Sequence, residues 1–356
     1  MNKNNYENST LIISLNFHPG HFSHLVANYK LYQEMGENPT LFVHPEFSKM
    51  DAENRFSKIF SLSDLNEKRI SKAIFWFPSL KNIKQLFILK YKYKSKIYYV
   101  YHEPFDTISN YRKGGFSYFK IFKIFLINII NLFIVILSDK IFLPSQKSFD
   151  IYTSRYHKIN TEYVLLPLIF DDEAQSYDLF AQEKKYISYI GTVAEDHAFD
   201  EFVKFVLFCD ENNYYNELKF LIATKSTIDS NIIYKLRKLV EKGRLKLYYG
   251  KPLSNHEIND CFLKSILVWN AYHRSNQSGV LPKSFMFATP VIIQRNNANE
   301  FVREGYNAIF INDNSNVNEI KQAIDKIIVN IDEFSQNSRN TFLEKFYFRN
   351  YIKYFN

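Results

Sequence analysis

Short apolar segments alternate with longer helical patterns along the whole of this 356-residue chain, and no other feature restricts its fold as strongly. Apolar runs recur at 11–15, 40–43, 73–77, 97–101, 140–143 and 163–166, and again at 186–190, 218–222, 244–248, 266–269 and 291–293. Between them lie stretches with helical spacing, such as 199–208, 231–241 and 255–263. Runs this short and this rich in β-branched and aromatic residues read as buried strands. Consecutive parallel strands need a crossover of a dozen or more residues, which the helical stretches supply. The pattern therefore predicts parallel sheets covered by helices.

The alternation pauses once. After Pro167 the polar run 171–177 (DDEAQSY) reads as a linker, and the pattern restarts with the strand at 186–190. Length and an apolar content of 46% allow two cores. Two Rossmann-like domains are expected, at 1–168 and 169–335, with terminal helices over 336–356 packing back toward the first. Cys209 and Cys261 have neither the spacing nor the partners for a zinc site or a disulfide framework, so a reducing compartment fits. The apolar run near the N-terminus, 11–17, is short and interrupted, and no secretory signal is read from it. A cytoplasmic protein is expected, with the option of peripheral attachment to the inner face of the cell membrane.

In open α/β sheets ligands bind beyond the carboxyl ends of the strands, and three loops of unusual composition fall on that edge. The first is 16–24 (NFHPGHFSH), where Gly20 lets backbone approach a ligand and His18, His21 and His24 crowd the same turn. No acidic cluster completes a ligand set there, so no metal is assigned. The second is Tyr101-His102-Glu103-Pro104. The third runs from Ser275 to Ile293 (SNQSGVLPKSFMFATPVII), a polar loop leading through a short helix into a buried strand. Ser278 and Gly279 lie where that helix should begin, so free amides are expected to cradle a diphosphate, with Lys283 one turn further adding a charge.

The net charge of +8 is unevenly placed: residues 1–168 carry 22 Lys and Arg against 13 Asp and Glu, the remainder 23 against 24. Such a basic half suits anionic lipid headgroups or a phosphate-bearing acceptor, or else is a solvated face. No nucleic-acid-binding module is recognisable despite the basicity. Within this half, 118–137 (YFKIFKIFLINIINLFIVIL) has an uncharged portion of only 14 residues, 124–137, interrupted by Asn128 and Asn131. That is too short to span a bilayer. It fits a buried helix, an interfacial helix, or one that is both.

Taken together, the three loops resemble those of GT-B glycosyltransferases, in particular retaining family 4. Ser275 to Ile293 resembles the donor-binding loop, and Tyr101 to Pro104 resembles the family's His-Glu-Pro segment. Tyr189-Ile190-Gly191-Thr192 and 247–251 (LYYGK, ending at Lys251) resemble the glycine turns of the donor domain. Asn299-Glu300-Phe301-Val302, with Gly305 and Asn307, resembles the stretch after the donor strand. The resemblance implies a GT-B α/β fold, with two Rossmann-like domains facing a central cleft and a C-terminal helix crossing back. It implies His102, Gly20 and Asn276 as active-site residues. Gly191, Thr192, Lys251, Gln277, Ser278, Gly279, Val280, Lys283 and Ser284 would bind the donor, and His18, His21, His24 and Glu103 the acceptor.

The implied reaction moves a sugar, with retention, from a nucleotide donor of UDP type to a polyprenyl-diphosphate-linked or polysaccharide acceptor. The setting would be bacterial capsule, exopolysaccharide or lipopolysaccharide synthesis. No metal and no cofactor beyond the nucleotide sugar is implied. One departure matters. Where the family carries two glutamates in the donor loop, this chain has Asn276 and Ser284, so the bidentate contact of a carboxylate is lost. A catalytically silent GT-B module that binds a partner or a glycan is the alternative.

Overall fold

The computed structural model describes residues 9–51, 54–65, 70–76, 78–194, 196–274, 278–297 and 299–355. The chain forms two compact units. The first takes in the residues up to Arg112, then Ser117–Asp171 and the chain end from Phe346; the second takes in Lys113–Phe116 and Asp172–Lys345.

In the first unit the order is β1 (Ser9–Ser14), α1 (Phe22–Glu34), β2 (Asn38–Val43), β3 (Lys58–Ile59), β4 (Ile70–Trp76), α2 (Leu80–Phe87), β5 (Lys96–Val100), α3 (Ile108–Lys113), α4 (Tyr118–Leu137), β6 (Lys140–Leu143), α5 (Gln146–Tyr156) and β7 (Glu162–Leu165). The strands make one sheet in the order β3-β2-β1-β4-β5-β6-β7, with every pairing parallel. Leu11, Ile13, Phe75, Tyr99 and Ile141 of the sheet meet Leu86, Ile134 and Tyr152 of the helices in one buried core. Caps set the helix ends: the Ser117 hydroxyl accepts the Lys120 amide of α4, and the Ser138 hydroxyl donates to the Ile134 carbonyl at its other end.

The second unit follows as β8 (Tyr186–Ile190), α6 (Phe199–Glu211), β9 (Lys219–Ala223), α7 (Ser230–Glu241), β10 (Leu245–Tyr248), α8 (Asn255–Leu263), β11 (Ser265–Asn270), α9 (Val280–Met286), β12 (Val291–Gln294), β13 (Ala308–Ile311), α10 (Val317–Val329) and α11 (Ile331–Lys345). Its sheet has the order β10-β9-β8-β11-β12-β13, again all parallel. Trp269, Phe202, Phe220 and Ile324 are at the centre of its core.

Each strand expected from the apolar runs is present within a few residues. The two-residue β3 and the four-residue β13 were not expected. The division falls at 171/172 rather than at 168/169. The chain end also divides differently from the expectation over 336–356: α11 stays with the second unit, where it packs on α9, and only the residues from Phe346 join the first. Their anchor is a parallel bridge, in which Phe170 N–H donates to the Phe346 carbonyl at 2.9 Å and Phe348 N–H to the Phe170 carbonyl at 3.0 Å. The Phe355 ring then closes against Tyr32 and Phe142.

Candidate functional site

Strand order locates a crevice in each unit before any side chain is considered. In the first unit the connections leave β1 toward β2 on one side and return on the other through β4; in the second, β8 and β11 bracket the same reversal. At such a switch point the loops diverge to opposite faces and leave a gap above the carboxyl ends.

Above the β1/β4 switch the chain is aromatic and basic. His18 is extended and precedes a 3-10 turn, Pro19–His21, whose first bond runs from His21 N–H to the His18 carbonyl at 2.9 Å. The two rings stack at 4.4 Å. A methyl group on Gly20 would meet only the His18 ring, at 3.4 Å, and its φ is not left-handed. The expected need for glycine there is therefore met neither by crowding nor by backbone conformation. His24, one turn into α1, is buried: its ring stacks on Trp76 at 5.4 Å, meets Phe170 edge-on, and has Nδ1 3.2 Å from the Ile169 carbonyl. The acceptor contact expected of His24 is corrected on these grounds; it supports Trp76 from below.

Trp76, the last residue of β4, leans on His102 at 5.4 Å, so the carboxyl ends of β4 and β5 share one aromatic group. Burial, reinforced by His24, pushes the His102 pKa down to about 3, which keeps the imidazole neutral at physiological pH. Its backbone is fixed, since Ser148 Oγ of α5 donates to the His102 carbonyl at 3.0 Å and Arg155 donates to that of Phe105 at 2.8 Å. Glu103 beside it is exposed. Among the described residues no group of three His, Cys, Asp or Glu is placed to hold a metal ion.

Above the β8/β11 switch the loops are tied to each other. Gly191 ends β8 with φ +143°, in a region that side-chain-bearing residues rarely adopt, and a Cβ there would sit 3.4 Å from Val280 Cγ2 and 3.7 Å from the Tyr272 hydroxyl. Those are ordinary contacts, so glycine is called for here by the backbone conformation rather than by lack of space. The Thr192 carbonyl accepts the Tyr189 hydroxyl at 2.8 Å and lies 2.7 Å from His197 Nδ1. His197 in turn stacks on Tyr272 at 4.4 Å. Burial raises the Tyr272 hydroxyl pKa to about 12, while its hydrogen bond with Ser278 acts against that rise. Further along, Val193 N–H donates to Ser226 Oγ, and Gly250 N–H to the Ser226 carbonyl. Lys251 follows as an exposed cation on the same edge.

The donor-loop residues part company in the structure. Asn276 and Gln277 lie outside the described residues. Gly279 is exposed, whereas the Val280 amide donates to Ser278 Oγ at 3.2 Å. α9 has only seven residues, so its aligned dipole is smaller than a long helix would provide. Lys283 does not point a free charge at this loop. Its ammonium donates to Asn255 Oδ1 at 3.0 Å and lies 3.3 Å from Glu173 Oε2, with both ionic side chains largely buried. Ser284 is fully buried and donates to the Thr289 carbonyl at 2.8 Å, which corrects the donor contact expected of it.

Glu173 also accepts from Asn255 and Asn259, which stand four residues apart on one face of α8. All three acids of the run read as linker are paired: Asp171 with Lys30, Asp172 bidentately with Arg339, and Glu173 with Lys283. The Asn255/Asn259 spacing was the available signal for the Glu173 cluster. Nothing local announced Tyr272, His197 or Trp76, whose roles come from contacts between distant segments.

No protein-family model matches the sequence, and no curated protein matches it. Solved structures do match the fold. HepE of Anabaena in complex with UDP and glucose superposes with a TM-score of 0.67 at 11% identity, covering 98% of each chain. A glycosyltransferase from Rickettsia africae gives 0.66 at 10% identity over 98% of this chain and 96% of that one. Sucrose-phosphate synthase from Thermosynechococcus elongatus gives 0.66 at 11% identity over 98% and 97%. The fold is the GT-B fold, two parallel α/β units as in these structures.

Proposed function

We propose that this protein is a retaining glycosyltransferase that moves a sugar from a nucleoside diphosphate donor, UDP-linked, to a lipid-linked or growing cell-surface polysaccharide acceptor. The observation that carries this reading is that both switch points are equipped for ligands. One brings Gly191, at the end of β8, beside Tyr272 and the start of α9 with Ser278, and the other holds His18, His21 and a neutral His102 beside Trp76. The UDP bound in the similar HepE structure supports the choice of nucleotide.

The second unit is assigned the donor and the first the acceptor. In the proposed reaction the bond from the sugar's anomeric carbon to the diphosphate oxygen breaks, and a new one forms to the acceptor oxygen. The acceptor proton passes to the departing phosphate oxygen. His102, being neutral, contributes a hydrogen bond to a sugar hydroxyl rather than a cation. Neither a resident metal nor a further cofactor takes part. The setting is bacterial capsule, exopolysaccharide or lipopolysaccharide synthesis in the cytoplasm.

A second reading, a silent module that binds a partner or a glycan, is favoured by the engagement of Lys283 with Glu173 and the burial of Ser284. Nucleotide release separates the two. Purified protein is offered UDP-, GDP- and CMP-sugars with lipid-linked acceptor extract, alongside His102→Ala. Acceptor-dependent release of one nucleotide, lost in the variant while its melting temperature holds, is the expected result. Silence across the panel without thermal stabilisation by any nucleotide would refute the transferase reading and leave the silent module.

A further inference from the structure

We infer that the outer face of α4, with the adjoining end of α2, docks the first unit onto the surface of an anionic lipid bilayer without crossing it. The helix is 20 residues long and mostly apolar, yet only about a quarter of its most hydropathic window is buried. Its inner face is unambiguous. Ile121, Asn128, Asn131, Ile134 and Val135 are buried, Tyr101 donates to Asn128 Oδ1 at 2.7 Å, and Tyr99 donates to Asn131. Those two polar groups are thereby satisfied against β5, which fixes the rotation of the helix and holds it to the sheet.

The outer face carries Phe119, Phe122, Leu126, Ile129, Phe133 and Ile136, all exposed, with Phe119 and Ile136 retaining 68% and 62% of their surface. At 3.6 residues per turn, the exposed apolar side chains span about half the helix circumference. The patch continues beyond α4, because the Phe133 ring meets Phe87 of α2 at 5.9 Å and Phe87 stacks on Tyr91. A contiguous exposed apolar surface of this kind is uncommon on a soluble monomer and marks an interaction site.

Charge complementarity identifies the occupant. Residues 78–137 hold ten Lys and Arg against Glu103 and Asp106 alone, and Asp106 is buried. The cations border the apolar face. Lys123 lies 4.3 Å from the Phe119 ring centroid and Arg112 lies 4.7 Å from that of Tyr118. Aromatic rings with basic groups at their edge suit the depth where acyl chains give way to headgroups, and each Lys or Arg near an anionic surface adds roughly 1 kcal/mol of attraction. A second copy of the chain is disfavoured by the same border. In a two-fold interface each patch meets itself, so its cations would confront one another.

The surface stands whether or not the protein transfers sugar, so its test needs no turnover. The full chain is co-sedimented with vesicles of equimolar phosphatidylglycerol and phosphatidylethanolamine, and with phosphatidylcholine alone. Two double variants, Lys120→Glu/Lys123→Glu (Lys120 half-buried, Lys123 exposed) and Phe122→Ser/Ile129→Ser at exposed positions, are compared after circular dichroism confirms that they fold. Binding to the anionic vesicles only, lowered at least tenfold by each pair and released by alkaline carbonate, is the expected result. Wild type remaining in the supernatant would overturn the inference, as would binding unaffected by either pair. Retention after carbonate would mean that α4 crosses the bilayer. A dimer that the Phe122/Ile129 pair converts to monomer, with no vesicle binding, would reassign the face to contact between copies.

Discussion

Replacing Lys283 by Met separates an ion pair that holds the second unit together from a charge that serves a ligand. The ammonium and the Glu173 carboxylate are 3.3 Å apart, with side chains 10% and 15% exposed. At an effective dielectric of about 20 their gross attraction is about 5 kcal/mol. Removing one partner of a buried pair costs about 3–5 kcal/mol, because the other charge stays behind uncompensated. Glu173 keeps the amide groups of Asn255 and Asn259 at 2.7 and 2.9 Å, so the cost falls at the low end, about 3 kcal/mol. For a unit of this size that corresponds to a melting temperature lower by roughly 5–10 °C.

Glu173→Gln/Lys283→Met removes both charges and should recover at least about half of the loss. Calorimetry on the four proteins of the cycle gives the coupling, and UDP titration of the same samples should show affinity within about twofold of wild type. A Lys283→Met protein as stable as wild type within about 0.5 kcal/mol, with UDP affinity down tenfold or more, would refute the structural assignment. Lys283 would then belong to the donor.

Three further outcomes follow from single positions. Gly191→Ala forces a side chain into φ +143°; it should cost about 1–3 kcal/mol in denaturant titration, and an unchanged midpoint would mean that the backbone does not hold this conformation. Ser284→Ala removes a buried hydroxyl bonded to Thr289 and should lower stability by about 1–2 kcal/mol with kcat/KM for the donor unchanged; a selective loss of kcat/KM would return Ser284 to the site. The third concerns pH. His102 has a folded pKa near 3, below the usual value of about 6.5, so between these values the unfolded chain binds the proton more tightly. Stability should therefore be constant above about pH 6.5 and fall as pH drops through that window. The loss is at most about 2 kcal/mol from pH 7 to 5, and His102→Gln should flatten this part of the profile; parallel wild-type and variant profiles would show that His102 is not the group responsible.

How much of the site could be read from the residues depended on how far apart its members are in the chain. The loops at 16–24, 101–104 and 275–293 were identifiable because each follows directly on an apolar run, and the carboxyl end of a strand is a property of local order. His18, His102 and Gly191 are therefore where the residue order put them. The environment of each was not legible. His24 looked like its neighbours in the loop, but α1 turns its ring inward onto Trp76 and Phe170, from β4 and from the end of the first unit's main segment. Lys283 and Ser284 lay in a loop that resembled a donor site, but α9 turns both toward the interior, one onto Glu173 and the other onto Thr289.

By itself the sequence determined the parallel α/β class, the existence of two units, the strands to within a few residues and which loops leave the carboxyl ends of the strands. These are encoded by hydrophobic periodicity over windows of five to fifteen residues, where each side chain's preference is set by its own neighbours. The tertiary structure alone decided the strand order and hence the two switch points. It also decided the return of the chain end from Phe346 to the first unit, the face that α4 turns outward, and the pairing of each acid in 171–173 with its own cation. Those outcomes are contacts between segments tens to hundreds of residues apart, such as Phe170 with Tyr347 or Asp172 with Arg339. They form when burial and charge pairing over the whole chain outweigh the entropy of closing long loops, a balance that no local window contains.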